Sequence, residues 1–357
     1  MKPRTYVLSG PIIGVLAAAL LAGCASDPDQ DGCDISALGT SGGSISLAAA
    51  VMPSRLDAGS LVTDPEGKYV VASCTDGTCR WNAAGGAYET ISESGYRAIS
   101  PDLTLVARKV GCSDIALVEV DGDEQTQRLE GLPNPQVTDA SPVGEIAFSP
   151  DGRLVAGAGL EGDLTIWSVE DGDEVASTDL GNGVGSISFS PDGERLAVAS
   201  GDSVSILEAD SGDEVGTVSA ANGAGPVWSP DGRWIAGVTT EGSPTVWDAE
   251  TFAAVETLLG FDAAAVAFSP DSRSLAAASE GGDGPQVDRT RLALWTPIAL
   301  GGAGETRNVT KSAVPGSNVI FSPDGKTVYT ASAEEGIAAW DIATGKPAAQ
   351  LDQPPMS

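Results

Sequence analysis

The stretch Phe148-Ser149-Pro150-Asp151-Gly152-Arg153-Leu154-Val155-Ala156 holds the fold in miniature. An apolar residue ends one run, a four-residue turn follows, and a β-branched or Ala-rich run begins. Proline sets φ at the second turn position, aspartate accepts local backbone hydrogen bonds, and glycine tolerates positive φ. The turn therefore joins two antiparallel strands. It recurs as Ser190-Pro191-Asp192-Gly193, Ser229-Pro230-Asp231-Gly232 and Ser322-Pro323-Asp324-Gly325. Ser269-Pro270-Asp271-Ser272 is a near copy, and Ser100-Pro101-Asp102 and Asp64-Pro65-Glu66-Gly67 are weaker ones. The seven prolines are separated by 36, 49, 41, 39, 40 and 53 residues.

Working outward, an acidic-glycine turn follows each copy, and then a strand ending in a large residue. From the Ser of the motif to that residue is 18 positions in three copies, reaching Trp167, Trp247 and Trp340. The Asp64 copy reaches Trp81 in 17 positions, and the Ser269 copy reaches Trp295 in 26. A third turn follows, as in Asp171-Gly172, Ser211-Gly212 and Thr344-Gly345. Three turns make four antiparallel strands. One such sheet cannot bury both its faces, whereas seven arranged around an axis can. The expected fold is all-β: a seven-bladed β-propeller of four-stranded antiparallel blades. Both the first and the last repeat count four strands, so closure needs no borrowed strand, although Ser44-Ile45-Ser46-Leu47 has strand alternation and could add one.

Trp247-Asp248 and Trp340-Asp341, each with a Thr or Thr-Gly turn behind it, resemble the WD-repeat signature. The Ser-Pro-Asp-Gly turn is similar to that of bacterial WD-repeat and TolB-type propellers. The resemblance covers roughly residues 58–352. It departs from the family at one point: the chain has no histidine, so the Gly-His dipeptide of WD repeats is missing. Apolar packing and turn chemistry are left to hold each blade.

The first 23 residues read as an address. Lys2 and Arg4 give a positive start, Tyr6–Leu21 is apolar, and Leu21-Ala22-Gly23-Cys24 matches the bacterial lipobox. Residues 1–23 are thus expected to be a lipoprotein signal peptide, with an uncleaved membrane anchor as the alternative. Cys24 is the expected lipidation site, and acyl chains there would hold the protein on the outer side of a membrane. Residues 24–57 carry that cysteine, an acidic tether and an N-terminal extension, and 353–357 form a tail. Four further cysteines, Cys33, Cys74, Cys79 and Cys112, are an even number in an exported chain and suggest two disulfides. Of the three pairings, Cys74–Cys79 with Cys33–Cys112 is preferred, because Cys74 and Cys79 flank the hairpin loop Thr75-Asp76-Gly77-Thr78.

Composition removes several functions. Fifty acidic against 19 basic residues in 357 give a net charge of −31, and such a surface repels nucleic acid. Without histidine, imidazole-based triads and His-ligated zinc are excluded. No glycine-rich phosphate loop opens a helix. Asp27-x-Asp29-x-Asp31-Gly32 resembles the start of a Ca²⁺ loop, but its twelfth position is Leu38 rather than a bidentate Glu, so the stretch reads as tether. The excess length lies in Gly131–Pro142, Glu280–Asp288 and Gly301–Gly316, all expected on the face opposite the Ser-Pro-Asp-Gly turns together with Cys74, Cys79 and Cys112. Arg289 and Arg291 make a small basic cluster beside Asp288. The expectation is a monomeric, non-catalytic scaffold without a resident cofactor, binding an envelope or extracellular protein or ligand. The alternative is a hydrolase- or lactonase-type propeller with a divalent metal on channel carboxylates.

Overall fold

The computed structural model describes residues 61–74, 77–92, 98–110, 114–120, 125–130, 143–159, 162–218, 225–259, 261–279, 292–297, 300–301, 304–310, 318–332, 336–349 and 351. Twenty-eight strands form seven four-stranded sheets. Within each sheet the order follows the chain, and every pairing is antiparallel. The blades span 62–92, 98–129, 143–179, 184–218, 227–257, 265–310 and 318–349. The seven-bladed all-β propeller expected from the repeat is the observed fold, and the first and seventh blades each hold four strands of their own.

First strands of neighbouring blades touch one another, which places them around the axis. Second and third strands are buried along almost their whole length, as in Leu154–Gly159 and Ser203–Glu208. Fourth strands form the outer rim and are mostly exposed, as in Glu174–Asp179. This gradient follows from the arrangement: middle strands have a neighbouring blade on each face, and outer strands splay apart.

Each of the seven apolar clusters is one seam between blades. Ala156, Leu164 and Ile166 of blade three pack on Phe189, Leu196 and Leu207 of blade four. The ring closes where Val70, Ala72 and Trp81 of blade one meet Tyr329, Ala331 and Ile337 of blade seven. A parallel bridge from Gly86 to Leu351 extends that seam to the rim.

The large residue of each repeat enters the seam with the preceding blade. Trp167, 1% exposed, packs with Ile115, Leu117 and Val155. Space for its indole comes from Gly157, where an added Cβ would lie 3.0 Å from the ring and 2.5 Å from Ile115. Gly157 stands two residues beyond Val155, the register partner of Trp167. The same offset gives Gly237 for Trp247, Ala277 for Trp295, Ala72 for Trp81 and Thr330 for Trp340. Thr330 also accepts the Trp340 indole N–H at 3.2 Å. Blade four reverses the sizes, with Leu207 and Val198. Blade two departs further, with Val118 and Arg108 at these positions.

In each first turn, residue i+3 donates its N–H to the carbonyl of residue i, at 2.8–2.9 Å. The i+3 glycines have φ between 67° and 75°. Leu103 and Ser272 adopt φ of 60° and 61° at the two positions without glycine. Gly232 isolates this requirement, since a Cβ there would meet nothing within 4 Å at φ +72°. Gly232→Ala is therefore expected to cost about 1–2 kcal/mol from conformation alone. A urea midpoint equal to that of the parent would show that the turn relaxes to negative φ.

Candidate functional site

The first turns gather at one end of the propeller. In six blades the serine hydroxyl donates to the aspartate two residues on, at 2.6–2.7 Å. The serine oxygen in turn accepts the N–H of residue i+5, at 2.9–3.0 Å. The aspartate accepts the N–H of residue i+4. The serine and the aspartate thus accept the N–H groups of residues i+3, i+4 and i+5 within the turn.

Hydrogen bonding to the ionised form depresses a carboxyl pKa. The Ser149, Ser190, Ser269 and Ser322 hydroxyls hold Asp151, Asp192, Asp271 and Asp324 below the usual carboxylate range. At Asp102, desolvation pushes upward, and the combined bonds from Ser100 and Thr104 outweigh it. Asp248 and Asp341 are lowered in the third turn of blades five and seven, by Thr251 and Thr344. Exposed pairs such as Lys326–Asp324, at 3.2 Å, add little.

These turns interlock around the ring. A Cβ at Gly67 would lie 3.2 Å from Pro323, and one at Gly325 would lie 3.6 Å from Pro270. Gly152 and Gly193 face Pro101 and Pro150 in the same way. The Ser272 hydroxyl, replacing glycine in blade six, accepts the Asp231 N–H of blade five at 3.1 Å. The repeat-turn residues singled out from the sequence are therefore brought together as one interlocking ring at that end.

Antiparallel alternation places the connections between second and third strands, and those between blades, at the opposite end. Residues 131–142 lie between blades two and three, and 280–291 lie within blade six; both are outside the described residues. The stretch Gly301–Gly316 requires a correction. Glu305–Thr310 is the fourth strand of blade six, and Gly304 closes the turn preceding it by donating to the Thr296 carbonyl. Only 311–317 remains as an inter-blade connection, so most of this stretch is not a loop on the predicted face. The polar sequence Glu-Thr-Arg-Asn-Val-Thr conceals the strand, because an outer strand needs no apolar alternation.

The cysteine hairpin is tighter than the sequence suggests. Cys74 pairs with Gly77 around a two-residue loop, and Cys79 pairs with Ala72. The two cysteines are therefore diagonal neighbours rather than a facing pair. Cys79 is fully buried among Val70, Ala72 and Trp81. Cys24, Cys33, Cys112, the Asp27–Gly32 stretch, Arg289 and Arg291 lie outside the described residues.

On the seven inner strands the only carboxylate among the described residues is Glu145; residues such as Ala147, Ser186, Ser188, Ala265 and Ala267 dominate there. Among the described residues no three His, Cys, Asp or Glu side chains cluster as metal ligands do.

The WD domain, G-beta repeat family matches residues 134–168 and 175–207. Each match ends at or one residue beyond the large third-strand residue, Trp167 or Leu207. The second begins on the outer strand of blade three and runs into blade four, so the family's sequence unit straddles two blades. No curated protein matches the chain. Two stretches of the chain thus match that repeat family, and the fold in which they stand is a seven-bladed β-propeller.

Proposed function

We propose that this chain is a lipid-anchored, extracytoplasmic propeller that serves as a non-catalytic scaffold for a protein or ligand. The observation carrying the reading is the separation of duties between the two ends. One end is locked by repeated turn networks, while the connections at the other are free to differ in length on a rigid frame. Binding concentrates on such connections. WD40 propellers commonly mediate protein interactions, which favours a protein partner. The TolB-like turn and the lipobox at Cys24 support an envelope location.

The metal-hydrolase alternative needs several convergent carboxylates in the channel. Among the described residues the inner strands carry one carboxylate, Glu145, which gives it weak support.

We further propose the disulfides Cys74–Cys79 and Cys33–Cys112. Support for the first comes from Cys79, which is fully buried in the seam with blade seven. Position 74 has the strand parity of Val70 and Ala72 in that seam. Blade two, which carries Cys112, packs on the opposite face of blade one.

The test is capture of envelope proteins by the intact protein and by a Gly281–Pro285 deletion, with bound metal measured on both. A stoichiometric partner retained by the parent and lost by the folded deletion is the expected outcome. Equal capture by both would remove this face from the proposal, and a tightly held metal without a partner would favour the hydrolase. Radiolabelled palmitate should enter the parent and not Cys24→Ala; equal labelling would overturn the anchor.

A further inference from the structure

Three departures from the repeat meet at the seam between blades one and seven. The first is Tyr329. At its position in the second strand the other blades carry Ala107, Ala156, Ala197, Ala236, Ala276 and, in blade one, Val71. The second is the turn Asp64-Pro65-Glu66-Gly67. Asp64 replaces the serine and accepts the Tyr69 N–H at 2.6 Å, so no hydroxyl is left to engage the acid at i+2. Glu66 is consequently exposed and takes no part in its turn. The third is Ala84 in the third turn of blade one, where blades three, four and five carry Glu170, Asp210 and Glu250.

Together they enclose a cavity of about 290 Å³, lined by Glu66, Asp324, Ser322, Thr327, Tyr329, Ala83 and Ala84. Tyr329 is 3% exposed. No described residue hydrogen-bonds its hydroxyl, although burial and the nearby Asp324 and Asp64 keep it protonated. Its ring is buried, and its hydroxyl opens onto the cleft beside Glu66 and Asp324.

We propose that this cleft takes up the guanidinium group of an arginine presented by a partner protein. With Asp324 and Ser322 already engaged, the lining offers the exposed Glu66 carboxylate and the Tyr329 hydroxyl as acceptors. A guanidinium has five donors and no acceptor, which matches that surface. The volume is that of a side chain, far larger than a bare ion. Asp324 is already bonded through Oδ1 to Ser322 and Lys326 N–H, and through Oδ2 to the Lys326 ammonium at 3.2 Å. It cannot supply the several free oxygens that Ca²⁺ requires. The net charge of −31 steers a cationic group toward the protein.

This inference rests on the scaffold reading for its protein partner but adds a contact at the turn end, opposite the variable connections, and the two fail separately: the scaffold fails in partner capture, the cleft in a titration that needs no partner. The intact protein is titrated calorimetrically with propylguanidinium chloride at low salt, with propionate and CaCl₂ as parallel probes. One saturable site for propylguanidinium is expected. Tyr329→Phe keeps the ring and removes the hydroxyl, and Glu66→Gln removes an exposed charge; each is expected to weaken binding about fivefold to tenfold. Unchanged melting curves would confirm that both variants fold. Absence of saturation, affinity unaltered in both variants, or displacement of the probe by equimolar CaCl₂ would overturn the proposal.

Discussion

Trp167→Ala is expected to destabilise the propeller by about 3–5 kcal/mol. The indole is 1% exposed and fills the seam between blades two and three. Its removal loses a large apolar burial and leaves a cavity that the sheets on both sides cannot collapse into. Folded domains hold only about 5–15 kcal/mol in total, so one substitution removes a large share. Gly157 sharpens the test. Gly157→Val alone is expected to destabilise, by about 1–3 kcal/mol or more, since a Cβ there would already lie 2.5 Å from Ile115. Combining it with Trp167→Leu should recover part of both losses, because blade four already uses Leu207 with Val198 at these positions. Additive losses in the double-mutant cycle would show that the two positions do not share one volume. Guanidinium denaturation midpoints read all four proteins.

The second large effect is acid unfolding. Asp102, Asp151, Asp192, Asp271 and Asp324 have folded pKa values below the unfolded one, as do Asp171, Asp248 and Asp341. Such groups contribute stability that is fully present above the unfolded value, about 3.9 for aspartate, and is lost as pH falls through the folded value. A net charge of −31 acts in the opposite direction, because protonating carboxylates relieves self-repulsion. Stability should therefore hold or rise slightly from pH 7 to about 5 and then fall steeply below about pH 4. Continued stabilisation down to pH 3 would show that repulsion outweighs the turns. Ser190→Ala removes the donor to Asp192 and the acceptor for Arg195 N–H. It should cost about 1–3 kcal/mol at pH 7 and less at pH 3, as protonation begins to remove the charged acceptor that the serine serves. An equal loss at the two pH values would mean that the serine acts without its aspartate.

The two ends of the legibility scale are the first turns and the outer strands. Ser149-Pro150-Asp151-Gly152 states its own conformation, since every hydrogen bond in it spans five residues or fewer. Repetition of so local a signal is why blade number, strand order and turn chemistry were readable. Glu305–Thr310 is the reverse case. It pairs along one edge, Glu305, Thr306 and Arg307 are exposed, and its one apolar residue, Val309, is buried in the seam with blade seven, so no apolar alternation marks it. Register lies between: a hairpin at Cys74 and Cys79 was evident, but whether its loop held four residues or two was set by cross-strand pairing through Ala72 and Trp81.

The sequence by itself determined the repeat, the turn, the all-β class and the exclusion of imidazole chemistry, because each depends on residue type or on neighbours a few positions apart. Only the tertiary structure decided what meets across a seam. Gly157 beneath Trp167 is a matter of strand register and blade packing. Tyr329 beside Glu66 is separated from it by nearly the whole ring, and the pair exists only once blade seven closes on blade one. Ring closure brings the two ends of the repeat array together, and no local pattern in either end announces the other.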